Sequence, residues 1–222
     1  MTAPLFHVDN TPYSQKDCDR LVQSLANSDL FRDLTGMRLA VCLQHTADWL
    51  ALCLWLKDQG GSVLPIPPGT PQQAARSLAL ETGCNLLLFG DSLEGAQPET
   101  LAGAPAHSAA GGELIQLSSG TTGKPKTIAR TWRDIDREVD AYVTQFAEAS
   151  GLTPVVACPV THSYGLICGV LSALRRSAVP RVVTSLNPRF ILARLKSVPE
   201  HLLYASPTLV SLLIQMLPET ER

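Results

Sequence analysis

The six cysteines, Cys18, Cys42, Cys53, Cys84, Cys158 and Cys168, include no C-x-x-C pair, and His7, His45, His107, His162 and His201 are equally dispersed. Such spacing offers no metal site. Most of the thiols sit inside apolar runs, so they read as buried free cysteines of a reducing compartment and not as a disulfide framework. Long apolar runs are missing as well. The longest, such as residues 49–56, fall far short of the ~20 residues that a membrane-spanning helix needs. No basic region followed by an apolar stretch opens the first ten residues, so no signal peptide is expected. A formal net charge of −2 excludes a global attraction to nucleic acid or to a membrane surface. The expectation is a soluble, cytoplasmic protein with no nucleic-acid partner and no membrane span. No internal repeat is visible.

One further absence is local. Between Glu148 and Glu200 there is no acidic residue, while Arg175, Arg176, Arg181, Arg189, Arg194 and Lys196 fall inside that stretch. Two readings are open: a surface for an anionic partner, such as a carrier protein or the phosphates of CoA, or scattered solvated charge, which is the commoner case.

What is present suits a packed core. With 222 residues, 45% of them hydrophobic, the chain can form one large domain or two small ones. Strand-like and helix-like segments alternate. Residues 39–43 read as a buried strand; 47–59 read as a helix with Thr46 as N-cap and Gly60 as its stop. After a strand at 63–66, Thr70, Pro71 and Gln73 supply an N-cap, an N1 proline and a capping-box partner for a helix to about Thr82. A strand at 85–89 precedes a Gly-, Ala- and Pro-rich loop at 90–112. Thr131, with Asp134 three positions on, caps a long helix to about Ala149. Strands at 155–160, 181–184 and 202–205 then alternate with helices at 166–175, at 188–196 behind Asn187, and after Ser206-Pro207. This alternation predicts an α/β fold of mostly parallel sheets covered by helices, divided as residues 1–110 and 111–222.

The most informative run is Leu-Ser-Ser-Gly-Thr-Thr-Gly-Lys-Pro-Lys at 117–126. Gly120 and Gly123 permit backbone angles closed to other residues, so successive N–H groups can converge on an anion. Ser118, Ser119, Thr121 and Thr122 add hydroxyl donors, Lys124 and Lys126 add positive charge, and Pro125 stiffens the exit. A flexible surface linker would explain the glycines. It would not explain the Lys-Pro-Lys ending or the strand-like runs at 114–117 and 127–129. Only Thr121 and Thr122 separate the glycines, and Pro125 follows Lys124, so the run is not a Walker A loop. Lying between two strands, it would project as a hairpin-like flap that uses backbone N–H groups and no helix macrodipole.

From Ser118 to Lys126 without a gap, this order resembles the signature loop of the adenylate-forming superfamily, which holds acyl- and aryl-CoA ligases, luciferases and peptide-synthetase adenylation domains. Thr127 departs from it, standing where a glycine is usual. Other segments resemble the same family in order: Tyr13-Ser14 with the helix at 15–25; Leu56-Lys57-Asp58-Gln59-Gly60-Gly61 with Val63-Leu64-Pro65-Ile66; Pro159-Val160-Thr161-His162-Ser163-Tyr164-Gly165; and Ser206-Pro207-Thr208 with Leu212-Leu213.

The resemblance implies the incomplete N-terminal domain of an adenylate-forming enzyme, not expected to be active alone and prone to self-association. The parent reaction joins a carboxylic acid to ATP, releases pyrophosphate, and passes the acyl group to a thiol of CoA or an acyl carrier protein. Ser118, Ser119, Gly120, Thr121, Thr122, Gly123, Lys124 and Lys126 would hold the ATP phosphates. Mg²⁺ would be held mainly by residues outside this chain. His162, the candidate catalytic residue, would line the acid pocket with Tyr164 and Gly165, although Tyr164 fits a core position equally well. Peptide-synthetase domains for α-amino acids usually place Asp where His162 stands, so the resemblance implies an acid without a free α-amine. A non-catalytic nucleotide-binding module and one half of a split adenylating enzyme are the alternatives.

Overall fold

The computed structural model describes residues 3–102, 109–118, 126–185 and 187–218. Contacts divide the chain into two compact units, Met1–Ser14 with Glu138–Arg222 and Gln15–Arg137.

The chain begins with an antiparallel pair that sequence reading did not anticipate, β1 (Pro4–Val8) and β2 (Thr11–Ser14). Its turn carries Asp9 at φ 51°, a left-handed conformation that Asp tolerates better than most residues. Phe6 is fully buried and stacks on Tyr13, ring centroids 5.4 Å apart.

In the unit Gln15–Arg137, α1 (Gln15–Ala26) buries Cys18, Val22 and Leu25, the four- and three-residue spacing of an amphipathic helix. Next come β3 (Arg38–Leu43), α2 (Thr46–Asp58), β4 (Ser62–Pro65), α3 (Gln72–Glu81), β5 (Leu86–Gly90), β6 (Glu99–Thr100), β7 (Glu113–Ser118) and β8 (Lys126–Thr131). They form a sheet of order β6-β5-β3-β4-β7-β8, parallel from β5 through β7 and antiparallel at both edges. Central strands buried on both faces have no use for alternation, which is why β3 reads as one apolar run, Leu39 to Leu43. Ala40, Cys42, Leu64, Leu87 and Ile115 of the strands pack with Ala75 and Ala79 of α3.

The boundary between units falls within α4 (Trp132–Gln145). The unit Met1–Ser14 with Glu138–Arg222 continues through β9 (Thr153–Ala157), a π-helix (Tyr164–Leu171), α5 (Ser172–Arg175), β10 (Arg181–Val182), α6 (Pro188–Lys196), β11 (His201–Ala205) and α7 (Pro207–Met216). Its sheet has the order β11-β9-β10-β1-β2 and is parallel except for β2. Val155, Ala157 and Ala205 of the strands pack with Ile191 and Leu195 of α6 and Leu213 of α7. Both units are thus α/β with mostly parallel sheets. The division differs from the boundary expected at residue 110, because β7 and β8 extend the sheet of the preceding strands, and β1 pairs with β10.

Three expected caps are present. Thr131 Oγ1 accepts from the Asp134 N–H at 3.1 Å and donates to Asp134 Oδ2 at 2.7 Å; Asn187 Oδ1 accepts from Arg189 N at 3.0 Å; Ser206 Oγ accepts from Leu209 N at 3.2 Å. Two differ. His45 and not Thr46 is the N-cap of α2, and Thr70 donates its hydroxyl to the Pro67 carbonyl at 2.7 Å while Pro71 takes the N-cap position of α3. The expected loop at 90–112 contains β6, and the expected helix at 166–175 begins earlier, as the π-helix.

Candidate functional site

The Ser/Thr/Gly/Lys run is carried on a two-stranded ribbon. β7 and β8 pair antiparallel through six consecutive registers, from Glu113 opposite Thr131 to Ser118 opposite Lys126. At the far rung Ser118 Oγ lies 3.4 Å from the Lys126 carbonyl oxygen. β7 meets its inner neighbour β4 at Val63 opposite Leu114, close to the base, so the outer rungs pair only with each other among the described residues. Lys126 to Ala129 are exposed. The structure therefore brings Ser118 and Lys126 together as the two ends of the candidate phosphate loop. Ser119, Gly120, Thr121, Thr122, Gly123 and Lys124 lie outside the described residues.

The second candidate segment follows β9 in the other unit. The chain turns at residues 158–163, where the His162 N–H donates to the Pro159 carbonyl at 3.1 Å, and the Leu166 N–H returns to the His162 carbonyl at 2.9 Å. The His162 side chain is exposed. A π-helix follows at once, and such wide turns concentrate at functional sites. Gly165 is buried; a Cβ there would overlap the Pro159 carbonyl oxygen, and one on Gly169 would stand 2.8 Å from Val156 Cγ2. These two glycines, four apart on one face, let the helix backbone lie against the end of β9. Close packing accounts for Gly165 without any ligand.

Tyr164 sits at the edge of an aromatic and thiol cluster within the same unit. Its ring meets that of Tyr204 edge-on at 5.9 Å. The Tyr204 hydroxyl lies 3.4 Å from Ser172 Oγ, and Arg176 stacks over the Tyr142 ring at 5.6 Å. Burial, followed by the nearby Cys158, Cys168 and Tyr204, raises the Tyr164 phenol above its ordinary range, and burial with the Tyr204 hydrogen bond does the same for Tyr142. The Cys158 thiol is pushed up to about 11, by burial first and Cys168 second. The Tyr164 and Tyr142 phenols and the Cys158 thiol are therefore neutral at pH 7 and offer hydrogen bonds and apolar surface but no ready nucleophile. Sequence spacing did not find Tyr142, Ser172 or Tyr204, because they come from three separate elements.

Three arginines of the basic stretch are engaged internally. Arg175 pairs with Asp140 at 2.8 Å, Arg176 donates to the Phe146 carbonyl at 3.2 Å, and Arg194 stacks over Phe190 at 5.0 Å. A cleft of about 530 Å³ beside Phe31, Thr35 and Gly60 includes none of the predicted site residues. No group of three or more His, Cys, Asp or Glu side chains among the described residues is placed to hold a metal ion. No helix among them is long and apolar enough to cross a membrane.

Comparison with protein-family models finds no match. Among curated proteins the chain is similar to the 3,4-dihydroxybenzoate--[aryl-carrier protein] ligase of Bacillus anthracis, 35% identical over 206 residues, covering 93% of this chain and 49% of that one. The chain thus spans about half the length of this relative. Among solved structures, o-succinylbenzoate CoA synthetase (MenE) of Bacillus subtilis, in complex with the acyl-adenylate intermediate OSB-AMP, superposes with a TM-score of 0.72 at 16% identity, over 98% of this chain and 62% of that one. ATP-bound MatB of Rhodopseudomonas palustris gives 0.67 at 19% identity, over 97% and 49%. At these identities the two structures establish a shared fold.

Proposed function

We infer, from the kinship of this chain with the N-terminal portion of the adenylate-forming enzymes, that it supplies the ATP-phosphate grip of a ligase that activates a carboxylic acid as its acyl-adenylate. In that reaction a carboxylate oxygen attacks the α-phosphorus of ATP. A new oxygen–phosphorus bond forms, and the bond to the departing pyrophosphate breaks. A thiol sulfur then attacks the acyl carbonyl, and AMP leaves. The observation that carries this reading is the closure of the ribbon at Ser118 and Lys126, the two ends of the hydroxyl, glycine and lysine run. Ser118, Ser119, Gly120, Thr121, Thr122, Gly123, Lys124 and Lys126 contact the β- and γ-phosphates. Donors fixed around the leaving group favour the transition state, in which negative charge builds on pyrophosphate, over the ground state.

The substrate is an acid without a free α-amine, and His162 lines its pocket with Tyr164. His162 takes the place of the carboxylate that would pair with an amino group. An aryl acid and a carrier-protein thiol suit the kinship with an aryl-carrier protein ligase; CoA is the alternative acceptor. Mg²⁺ would supply charge neutralisation on the phosphates. The described residues hold no cluster fitted to it, so no step on this chain is assigned to the metal. Six cysteines that form no disulfide in the structure fit a cytoplasmic setting.

Acid-dependent ATP–pyrophosphate exchange tests the reading, with aryl, fatty and amino acids offered in parallel. In an adenylating enzyme that contains this chain, exchange is expected with an aryl or acyl acid, and it should fall sharply in Thr122→Ala and Lys126→Ala. Unchanged exchange in both variants would remove the phosphate assignment. Exchange that appears only when a second polypeptide is added would make the chain half of a split enzyme. Nucleotide binding without any exchange would make it a non-catalytic module.

A further inference from the structure

The alternation of β11 sends one ring away from its neighbours. Leu203 and Ala205 pack with Ile191 and Leu195 of α6 and Leu213 of α7, so Tyr204, between them, faces the other side of the sheet. Its register partner on β9 is Val156, the residue on which the π-helix lays Gly169. Tyr204 is thus packed under the π-helix, 2% exposed.

From there it reaches both ends of that helix. At the start, its ring meets the Tyr164 ring at 5.9 Å and an interplanar angle of 66°. At the end, its hydroxyl lies 3.4 Å from Ser172 Oγ, and the Ser172 hydroxyl in turn donates to the Cys168 carbonyl. Arg176 Nη1 stands 3.5 Å from the same phenol oxygen, and the Tyr142 hydroxyl is a further hydrogen-bond partner. A buried phenol tied at its oxygen from several sides has its ring plane fixed.

The backbone of the π-helix is held by its buried Leu166, Ile167, Val170 and Leu171 and by the approach of Gly165 and Gly169 to β9. The Tyr164 ring lies outside that core, 43% exposed. Cys158 and Cys168 lie near it, and Tyr204 gives it a ring to rest on whose own plane is fixed.

We propose that Tyr204 is a positioning residue of the acid pocket: held at its hydroxyl, it orients the Tyr164 ring as a wall against which an aryl acid packs. The inference rests on the reading of His162 and Tyr164 as lining that pocket. A ring already oriented spares the ligand the cost of ordering it, and a free ring does not.

The test uses benzoate as the probe, titrated into the isotope-labelled chain while the Tyr164 ring signals are followed by NMR. Tyr204→Leu removes the neighbouring ring. It should abolish the ring-current shift of the Tyr164 signals and raise the benzoate dissociation constant about five-fold. Tyr204→Phe keeps the ring and loses only its hydroxyl ties, so it should retain most of the shift and raise the constant about two-fold. Tyr164→Ala should weaken benzoate at least as much as Tyr204→Leu. Leu213→Ala, on the opposite face of the same sheet, is the stability control; it should lower the melting temperature at least as much and leave both readings unchanged. If Tyr204→Leu does not fold, the nuclear Overhauser contact between the two rings in the unaltered chain decides: its persistence with benzoate bound supports the inference, and its absence overturns it. Unaltered affinity in Tyr204→Leu, where Tyr164→Ala still weakens binding, overturns the inference and leaves the pocket reading standing, and so does equal weakening by Leu213→Ala. Unaltered affinity in Tyr164→Ala, or no saturable shift in the unaltered chain, removes the pocket reading and the inference with it.

Discussion

Arg38 of β3 and Glu113 at the base of the β7–β8 ribbon meet at 2.8 Å, with side chains only 17% and 12% exposed. The Arg38 guanidinium also reaches the Thr82 carbonyl at 3.4 Å, so this pair ties the ribbon to the sheet centre and to the end of α3. Truncating one partner strands a desolvated charge, whereas replacing both leaves an apolar gap that the core tolerates better. Glu113→Ala is expected to lower the unfolding free energy by about 3 kcal/mol, and Glu113→Ala combined with Arg38→Met by less than Glu113→Ala alone. Urea denaturation of the four members of the cycle checks this; additive losses would show that the pair carries no coupling.

Gly165 and Gly169 differ in what a side chain would meet. At Gly165 the obstacle is backbone, the Pro159 carbonyl, while at Gly169 it is the Val156 side chain at 2.8 Å, which can give more than backbone does. Gly165→Ala is therefore expected to cost about 3 kcal/mol and Gly169→Ala about 1 kcal/mol, as overpacking against rigid and yielding neighbours does. Thermal melts that rank the two variants the other way would contradict the close approach of the π-helix to β9.

Features coded by near neighbours were legible in the sequence, and features that needed a distant partner were not. Thr131 finds Asp134 three residues away, and Ser206-Pro207 and Asn187-Pro188 cap locally, so those helix starts are visible in the chain. The paired runs on either side of residues 119–125 likewise announced the ribbon that joins Ser118 to Lys126. The β1–β2 hairpin has Pro4, Pro12 and little alternation, and it is stabilised by pairing His7 with Arg181, far along the chain. Asp48 looks like a helix-start acid from its position. In the fold its carboxylate is buried and accepts from the Leu93 N–H at 2.7 Å, a partner that no local pattern reveals. The same holds for the Gly61 carbonyl that accepts from the Trp132 indole and for the ring of Tyr204 beside Tyr164.

Buried thiols make the fold sensitive to alkali. Burial pushes Cys18 and Cys158 up to about 11 and Cys53 up to about 12, from an ordinary value of 9.0. An acid whose pKa is raised on folding contributes stability that is complete below its unfolded value and is lost as pH climbs through its folded one. Stability should hold to about pH 9 and decline from there toward pH 11. Chemical denaturation at stepped pH checks the window, and a disulfide-exchange reagent at pH 8 should label the native chain far more slowly than the urea-unfolded one. Fast labelling of Cys18, Cys42, Cys53 and Cys84 in native conditions would refute their burial.

Helix α7 presents apolar side chains to solvent: Leu212 is 42% exposed, Ile214 48% and Met216 36%. Beside it in sequence, β11 pairs only with β9 among the described residues, which leaves a sheet edge. Exposed apolar surface next to an unpaired edge favours association. Sedimentation should show the chain as larger than a monomer at high concentration, with Leu212→Glu together with Ile214→Glu returning it to monomer. A unaltered chain that stays monomeric would show that this surface does not self-associate.

The proposed division of labour between Lys126 and His162 predicts separable kinetic effects. Lys126 stands at the mouth of the ribbon, exposed and opposite Ser118, where its charge would meet the polyphosphate. A charge-assisted hydrogen bond of this kind is worth about 2 kcal/mol, so in the proposed ligase Lys126→Ala should lower kcat/KM for ATP about thirty-fold and leave the KM for the acid unchanged. His162 is exposed at the start of the π-helix, and its backbone is held on both sides by the Pro159 and Leu166 hydrogen bonds, so truncating the ring should not disturb the turn. A neutral hydrogen bond lost there should raise the KM for the acid about five-fold and leave that for ATP unchanged. Initial-rate exchange assays that vary each substrate in turn would distinguish the two. Parallel changes in both KM values for His162→Ala would remove it from the acid pocket, and an effect on the acid alone for Lys126→Ala would move that lysine away from the phosphates.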